Sequence, residues 1–138
     1  MRAARGTTYA IALLTAATFS AAARSQEPAR PDPPVLKEIT TEFPKDRELE
    51  ARVLTATLQP GMTSPWHTHA TPVVVYVQEG TFTLEFKDRE PVHRKAGEAL
   101  LEPINVVVRA ANRDQSQPVK VVIFQVSPPS TPFLHPAH

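Results

Sequence analysis

The sequence predicts an all-β domain, either a sandwich or a barrel, from three observations. About eight short runs rich in β-branched and aromatic residues follow one another at close spacing. Fifteen prolines against four glycines argue against a helical bundle, because proline breaks helix interiors and central strands alike. After residue 25 the sequence has no sustained helical stripe of apolar residues. An antiparallel fold of this kind closes on itself or forms two layers, which removes exposed strand edges.

Turn residues separate the predicted strands. The strands cover residues 35–43, 51–58, 73–77, Thr81–Phe86, 91–95, 98–103, 106–112 and 119–126. Phe82, Leu84 and Phe86 alternate with polar residues, which is the period of a half-buried strand. A turn at Gly80 separates this run from the valine-rich run before it.

Residues 1–25 have the organisation of a secretory signal. Arg2 and Arg5 precede an uncharged, moderately apolar stretch, and small residues suited to cleavage follow. Cleavage after Ala23 and cleavage before Gln26 both fit, and an uncleaved anchor helix is the alternative. A cleaved signal places the mature protein in the periplasm or outside the cell, without stable membrane insertion.

Two proline-rich segments flank the predicted barrel domain of residues 35–127. They are a polar spacer at residues 26–34 and a tail at residues 128–138. The whole chain has a net charge of +1, and the signal contains three of its 15 basic residues. The mature chain therefore has 12 basic against 14 acidic residues, a net charge of −2, and no basic patch for nucleic acid. With no cysteine, disulfides and thiolate-bound metals are excluded.

Two histidines, His67 and His69, are the first candidates for a functional site. Residues two apart on a strand point to the same face, about 7 Å apart along the chain. Both rings can therefore reach one ion at metal–nitrogen distances of about 2.0–2.1 Å. The alternative is a pair of surface histidines at a strand end, with no function.

Residues at fixed spacings surround this pair and recur further along the chain. The first group, with its intervals of five, one, three and six residues, is Gly61, His67, His69, Val73 and Gly80. The second group is Gly97, Pro103, Asn105, Val108 and Asn112. These two groups resemble the two motifs of the cupin family, and the resemblance extends over nearly the whole mature domain.

The resemblance implies a cupin jelly-roll barrel, or double-stranded β-helix, in which four inward side chains bind a divalent metal. Only His67 and His69 keep their ligand atoms. Val73 stands at the family's glutamate position and Val108 at the position of its third histidine. Val75 shares a strand face with Val73, so a wall rich in valine lies opposite the histidines.

Three arrangements of the site stay open. In the first, the two histidines bind one weakly held divalent transition metal (Fe, Mn, Ni or Zn), and water or substrate completes the coordination. In the second, another residue completes the site, the candidates being Glu102, Glu79, His93, His135 and His138. In the third, no metal binds, and the barrel holds a small organic molecule or is filled by side chains. A ligand cavity would be lined by Val73, Val75, Val108 and Glu102.

These observations favour a secreted or periplasmic single-domain cupin that binds a small organic molecule in its barrel. The alternative is a metal-dependent oxygenase, isomerase or decarboxylase that uses His67 and His69 on a small organic acid or sugar. A purely structural protein is a third possibility. Apolar strands at residues 35–43 and 119–126 need cover, and many single-domain cupins pair through their sheets, so we expect a homodimer.

Overall fold

Nine antiparallel strands form the fold in residues 33–137, the part of the chain that the computed structural model describes. They are β1 (Glu50–Leu58), β2 (His67–Thr68), β3 (Val73–Glu79), β4 (Thr81–Phe86), β5 (Val92–Lys95), β6 (Ala99–Glu102), β7 (Val108–Asn112), β8 (Val119–Ser127) and β9 (His135–Pro136). These residues contain no helix, so the predicted all-β class is confirmed. Seven of the eight predicted runs correspond to a strand.

The strands form two sheets with the core between them. The first sheet has the order β1-β8-β3-β6 and the second the order β5-β4-β7-β2-β9, as in a jelly-roll. Side chains alternate along the strands, so that Val73, Val75 and Val77 are buried while Tyr76 is exposed. The buried apolar core contains Leu58, Val73, Val75, Val77, Phe82, Leu84, Leu100, Val108, Val119 and Val121.

The first predicted strand, residues 35–43, is wrong. The backbone there is irregular, and Val35 and Ile39 are 62% and 98% exposed. Charged residues interrupt this run, so it has no continuous apolar face that a neighbouring strand would bury. The predicted signal peptide and residues 26–32 of the predicted spacer lie outside the described residues and stay predictions.

The outer face of the first sheet exposes apolar side chains in one row across the strands. Val53 lies opposite Phe124, and Phe124 lies opposite Val74. Val53 and Phe124 are 65% and 40% exposed, and nearby Tyr76 is 37% exposed. The homodimer stays a prediction.

None of the residues 33–137 belongs to a helix long and apolar enough to cross a membrane.

An ion-pair cluster lies on the outer face of the second sheet, where Glu85 of β4 stands opposite Arg109 of β7. The Arg109 Nε donates to Glu85 Oε2 at 2.7 Å, and the Arg113 Nε donates to Glu85 Oε1 at 2.6 Å. The Arg109 guanidinium also lies over the Trp66 ring, 4.5 Å from its centroid. Arg109 therefore points away from the interior, as the regular strand predicts.

Replacing Glu85 by Gln is expected to destabilise the fold at neutral pH but not in acid. Burial raises the pKa of the Glu85 carboxyl, but the hydrogen bonds and charges of Arg109 and Arg113 outweigh burial and hold the pKa below its ordinary value of 4.5. A lowered folded pKa gives stability that is present above that ordinary value and is lost as the pH falls through the folded pKa. We expect Glu85→Gln to lower the stability by about 1 kcal/mol at pH 7. For a domain of this size that corresponds to a melting temperature lower by about 4–8 °C.

Thermal unfolding of both proteins between pH 7 and pH 3 measures the effect. The difference in melting temperature should shrink steadily below pH 4.5. Glu79→Gln is the matched control, because the Glu79–Lys120 ion pair is exposed on both sides and should contribute little. A Glu85→Gln difference that stays constant with pH would contradict the assignment.

Candidate metal centre

The two-residue strand β2 and the residue that follows it place two histidines in the interior. Strand β2 lies between β7 and β9, with His67 opposite Val108 on one side and Pro136 on the other. His67 and His69 are only 5% and 1% exposed. Their ring centroids lie 4.9 Å apart with the ring planes at 81°. The two rings thus meet inside the domain, which excludes the alternative of two exposed surface histidines.

Backbone carbonyls hold both rings in one tautomer. The Nδ1 atom of His67 lies 2.8 Å from the Pro65 carbonyl oxygen, and the Nδ1 atom of His69 lies 2.8 Å from that of Phe133. A carbonyl oxygen only accepts hydrogen bonds, so both Nδ1 atoms carry the proton and donate it. In its neutral form each ring would then have its lone pair on Nε2, the arrangement by which proteins orient metal-binding histidines.

Glu102 supplies a carboxylate beside these rings. It is the last residue of β6, stands directly opposite Val73 of β3, and is 4% exposed. Facing residues on paired strands point to the same side of a sheet, so Glu102 and Val73 both point inward. The Glu102 Oε2 lies 2.9 Å from the His69 Nε2.

His67, His69 and Glu102 together could hold a metal ion, since one ligand atom from each lies within 4.8 Å of the others. Two ligands at right angles around an ion, with bonds of about 2.1 Å, are about 3.0 Å apart. The distance of 2.9 Å between His69 and Glu102 agrees with this value. Two neutral imidazoles and one carboxylate are also a donor set that divalent transition metals accept. The residues present therefore fit a metal.

The other candidates for a third ligand lie elsewhere. Glu79 binds the exposed Lys120 at 2.9 Å, and His93 shares a hydrogen bond of 2.9 Å with the Thr83 hydroxyl. His135 is exposed in β9, and His138 lies outside the described residues. Of the five candidates from the sequence, the structure brings only Glu102 to the histidines within residues 33–137.

The segment at residues 131–137, here called the C-terminal strap, builds part of this site. The Phe133 carbonyl accepts from His69 Nδ1 and also, at 3.4 Å, from the buried Gln125 side chain. The Phe133 ring lies against the His69 ring, with 5.2 Å between centroids. Strand β9 pairs with β2, and the Ala137 N–H donates to the Trp66 carbonyl at 2.9 Å. The strap therefore holds His69 directly and His67 through β2.

Three further hydrogen bonds from outside the site fix this arrangement. Arg52 of β1 donates through Nη2 to the Thr131 carbonyl at 2.6 Å and to the Ser127 hydroxyl at 2.8 Å. Asn105 adopts a φ of 56° and donates its N–H to the His69 carbonyl at 3.0 Å. Asparagine tolerates this left-handed conformation better than most residues.

A family model described as the Cupin domain matches residues 54–125, slightly more than half of the chain. The chain belongs to the cupin family. A search of curated proteins finds no match to it.

Solved structures show the same fold. A protein from Klebsiella pneumoniae with a double-stranded β-helix domain is 20% identical with a TM-score of 0.54, and the match covers 73% of this chain and 90% of that one. The polyketide cyclase RemF from Streptomyces resistomycificus is also 20% identical with a TM-score of 0.54, over 64% of this chain and 61% of its own. A cupin-like protein from Thermotoga maritima is 22% identical with a TM-score of 0.50, over 64% and 67%. At these identities the matches show the fold alone.

This cupin departs from the family pattern in the origin of its carboxylate. The family's glutamate position on β3 is Val73, and Glu102 reaches the histidines from the neighbouring strand β6. The family's third histidine position, Val108, is fully buried in the core opposite His67. The site therefore has three candidate ligands instead of four.

A cavity of about 210 Å³ lies beside the three candidate ligands. Its lining contains Ala56, Thr57, Leu58, Met62, Ser64, His67, His69, Val73, Val75, Phe82, Glu102, Ala110, Val121, Ile123, Phe133 and Leu134. Three of the four residues predicted to line a cavity, Val73, Val75 and Glu102, are among them. Val108 lies behind the lining, in the core. Phe133 and Leu134 had no signal in the sequence, because the proline-rich tail resembles a spacer.

Proposed function

We propose that this cupin binds one divalent transition metal and, beside it, a small organic molecule inside its barrel. His67 and His69 would bind the metal through Nε2, and Glu102 through its carboxylate. The observation that carries this proposal is the pair of backbone carbonyls on the two Nδ1 atoms, at 2.8 Å each. They turn both Nε2 atoms toward the site, where each could bind an ion next to the buried carboxylate of Glu102.

The donor set selects a class of metal. Imidazole nitrogen suits Fe, Ni and Zn, and a carboxylate oxygen also suits Mn, so the choice among these ions depends on supply as much as on the site. Glu102 adds a carboxylate to the two histidines, so we expect tighter binding of a divalent ion than two imidazoles alone would give. A histidine–carboxylate contact of 2.9 Å without an ion is the alternative use of these residues.

The cavity supports the second half of the proposal. Small-molecule sites are concave and mostly apolar, with a few polar groups that fix the orientation of the ligand. Here the three candidate ligands lie in the wall of an otherwise apolar cavity of about 210 Å³. A molecule in this space would touch the metal directly. The secretory signal, which would place this activity outside the cytoplasm, stays a prediction.

A second candidate function is catalysis by the bound metal. Two histidines and one carboxylate with open positions are the ligand set of non-haem iron oxygenases. A metal ion at this site would supply Lewis-acid or oxygen chemistry. The protein's own part would be to orient the three metal-binding side chains through Pro65, Phe133 and β6. It would also enclose the small organic molecule in apolar walls. Turnover of a bound ligand, as opposed to its unchanged release, separates catalysis from binding.

The metal content of the purified protein tests the proposal. We expect about one equivalent of a transition metal in protein from medium supplemented with Fe, Mn, Ni and Zn, measured by elemental analysis. His67→Ala/His69→Ala should contain none. His93→Ala is the control, because His93 lies outside the site, bonded to the Thr83 hydroxyl, and its removal should leave the metal bound. Wild-type protein that binds none of these ions, even in direct titration, would refute the proposal.

A further inference from the structure

The composition of the cavity walls limits the kind of molecule that can bind there. Eleven of its sixteen lining residues are apolar, and among the described residues 33–137 no Arg or Lys lines it. Its volume of about 210 Å³ lies below the range of about 300–1,000 Å³ that is usual for pockets that bind drug-sized molecules. The occupant is therefore small, and most of its surface must be hydrocarbon.

Polar groups outside the metal centre offer the occupant little. Ser64 uses its hydroxyl as a donor to the Pro65 carbonyl and as an acceptor from the Ala110 N–H, both at 3.0 Å. Thr57 stands between the inward positions of β1, and its exposed side chain faces outward. Hydroxyl groups placed deep in the cavity would be left without partners, which is costly. The polar part of the occupant must therefore lie at the metal centre.

The charge of the centre sets the charge of the occupant. Two neutral imidazoles, one carboxylate and a divalent ion sum to +1. A ligand that binds as a monoanion brings the sum to zero, whereas a dianion leaves a negative charge among apolar walls with no cation to pair it. Three protein ligands also leave about three positions of an octahedral ion open, enough for two oxygen atoms of one ligand.

We propose that the occupant is a compact molecule with a hydrocarbon frame and two oxygen atoms on separate carbons, close enough to bind one metal ion together. It binds the metal as a monoanion through both oxygens. This inference rests on the proposed metal function and narrows its ligand. Enolised diketones, hydroxyketones of the tropolone type and singly ionised catechols belong to this class. Binding of the neutral form would release the proton of its O–H group to solvent, and the resulting oxygen anion would be available to the metal that His67, His69 and Glu102 would hold.

The same argument excludes other classes of ligand. Sugars carry hydroxyl groups on all sides and would lose the hydrogen bonds of those groups in the apolar cavity. Dicarboxylates and phosphates bring at least two negative charges, and no lining cation among residues 33–137 would pair with the second. Of the small organic acids and sugars expected from the sequence, only weakly polar acids with a single negative charge fit this cavity.

Binding of two chelators to the cobalt-substituted protein tests this inference without any measurement of activity. Tropolone is a monoanionic chelator with a hydrocarbon ring, and oxalate is a dianionic chelator with none. Each affinity is read from the change in the visible absorption of Co²⁺ and divided by the affinity for free Co²⁺. We expect this ratio to be at least about a hundredfold higher for tropolone than for oxalate. Equal ratios would overturn the inference while leaving the metal site intact.

Variants that fill the cavity distinguish the contribution of its walls to tropolone affinity from that of the metal. Ala56→Phe and, independently, Ala110→Phe should keep Co²⁺ and lose at least about tenfold in tropolone affinity, because both alanines line the cavity. Thr55→Phe is the matched control, since Thr55 neighbours Ala56 but is exposed and is not part of the lining. Retained Co²⁺ shows that each variant is folded. Full tropolone affinity in both filled variants would overturn the inference, whereas failure of the wild type to bind Co²⁺ would refute the metal function itself.

Discussion

Removing the carboxylate from β6 should abolish tight metal binding, and placing a carboxylate at the facing position of β3 should restore it. Glu102→Val is expected to lower the affinity for the metal by more than about a hundredfold, since even residues that only support a ligand contribute about 10–100-fold. Adding Val73→Glu to this variant should recover most of the affinity. The expected cause is that Val73 and Glu102 face each other across β3 and β6. A carboxylate from either position can then reach the same histidines.

Competition with a chromophoric chelator measures the affinities of all three proteins. Glu98→Val is the matched control, because Glu98 lies just before β6 and its carboxylate accepts from the Lys95 N–H at 2.7 Å, away from the histidines. It should bind metal as wild type does. If Glu102→Val keeps the wild-type affinity, Glu102 is not a ligand. If the double variant still fails to bind metal although its melting temperature equals that of the wild type, a carboxylate at position 73 cannot replace the one at position 102.

Ending the chain after Pro132 should weaken metal binding by about 10–100-fold while strands β1–β8 still form. This change removes the Phe133 carbonyl that accepts from His69 Nδ1, and the strand β9 that pairs with His67 and Thr68. The His69 ring would then lose both its orientation and its fixed tautomer. The β2 strand would keep only its pairing with β7.

Phe133→Ala is the informative comparison, because it removes the ring from His69 but keeps the backbone carbonyl. We expect this variant to bind metal more tightly than the shortened chain and nearly as tightly as wild type. Calorimetric metal titration at one pH, together with circular dichroism to verify the strands, gives the comparison. A shortened chain with wild-type affinity would show that the strap has no part in the metal centre.

The sequence predicted the strands better than their partners. Thr81–Phe86 was predicted to the residue, because its alternation depends only on neighbours along the chain. The motif glycines at positions 61, 80 and 97 have φ values of 72°, 77° and 86°, so each stands where the backbone needs a left-handed conformation. At Gly80 an added Cβ would also lie 2.6 Å from the Pro118 carbonyl oxygen. Local constraints of this kind can be recognised from one sequence.

Choosing Glu102 from five candidates needed information that no local pattern contains. Its position depends on the register between β3 and β6, where a shift of one residue would turn the side chain to the outer face. The strap was missed for a related reason. Proline is uncommon in central strands, but Pro136 lies in the edge strand β9, where its missing N–H removes no bond to a further strand.

The strap also orders events in time. Phe133 follows His69 by 64 residues, and Phe133 provides the carbonyl that fixes the His69 ring. At about 5–20 residues per second, a ribosome needs about 3–13 s to make the residues between them. For the last part of that interval, from the synthesis of Glu102 to that of Phe133, the growing chain has its two histidines and its carboxylate but lacks the carbonyl that aligns the His69 ring. A nascent chain at that stage would therefore bind the proposed ion more weakly than the finished protein, as we expect of the chain that ends after Pro132.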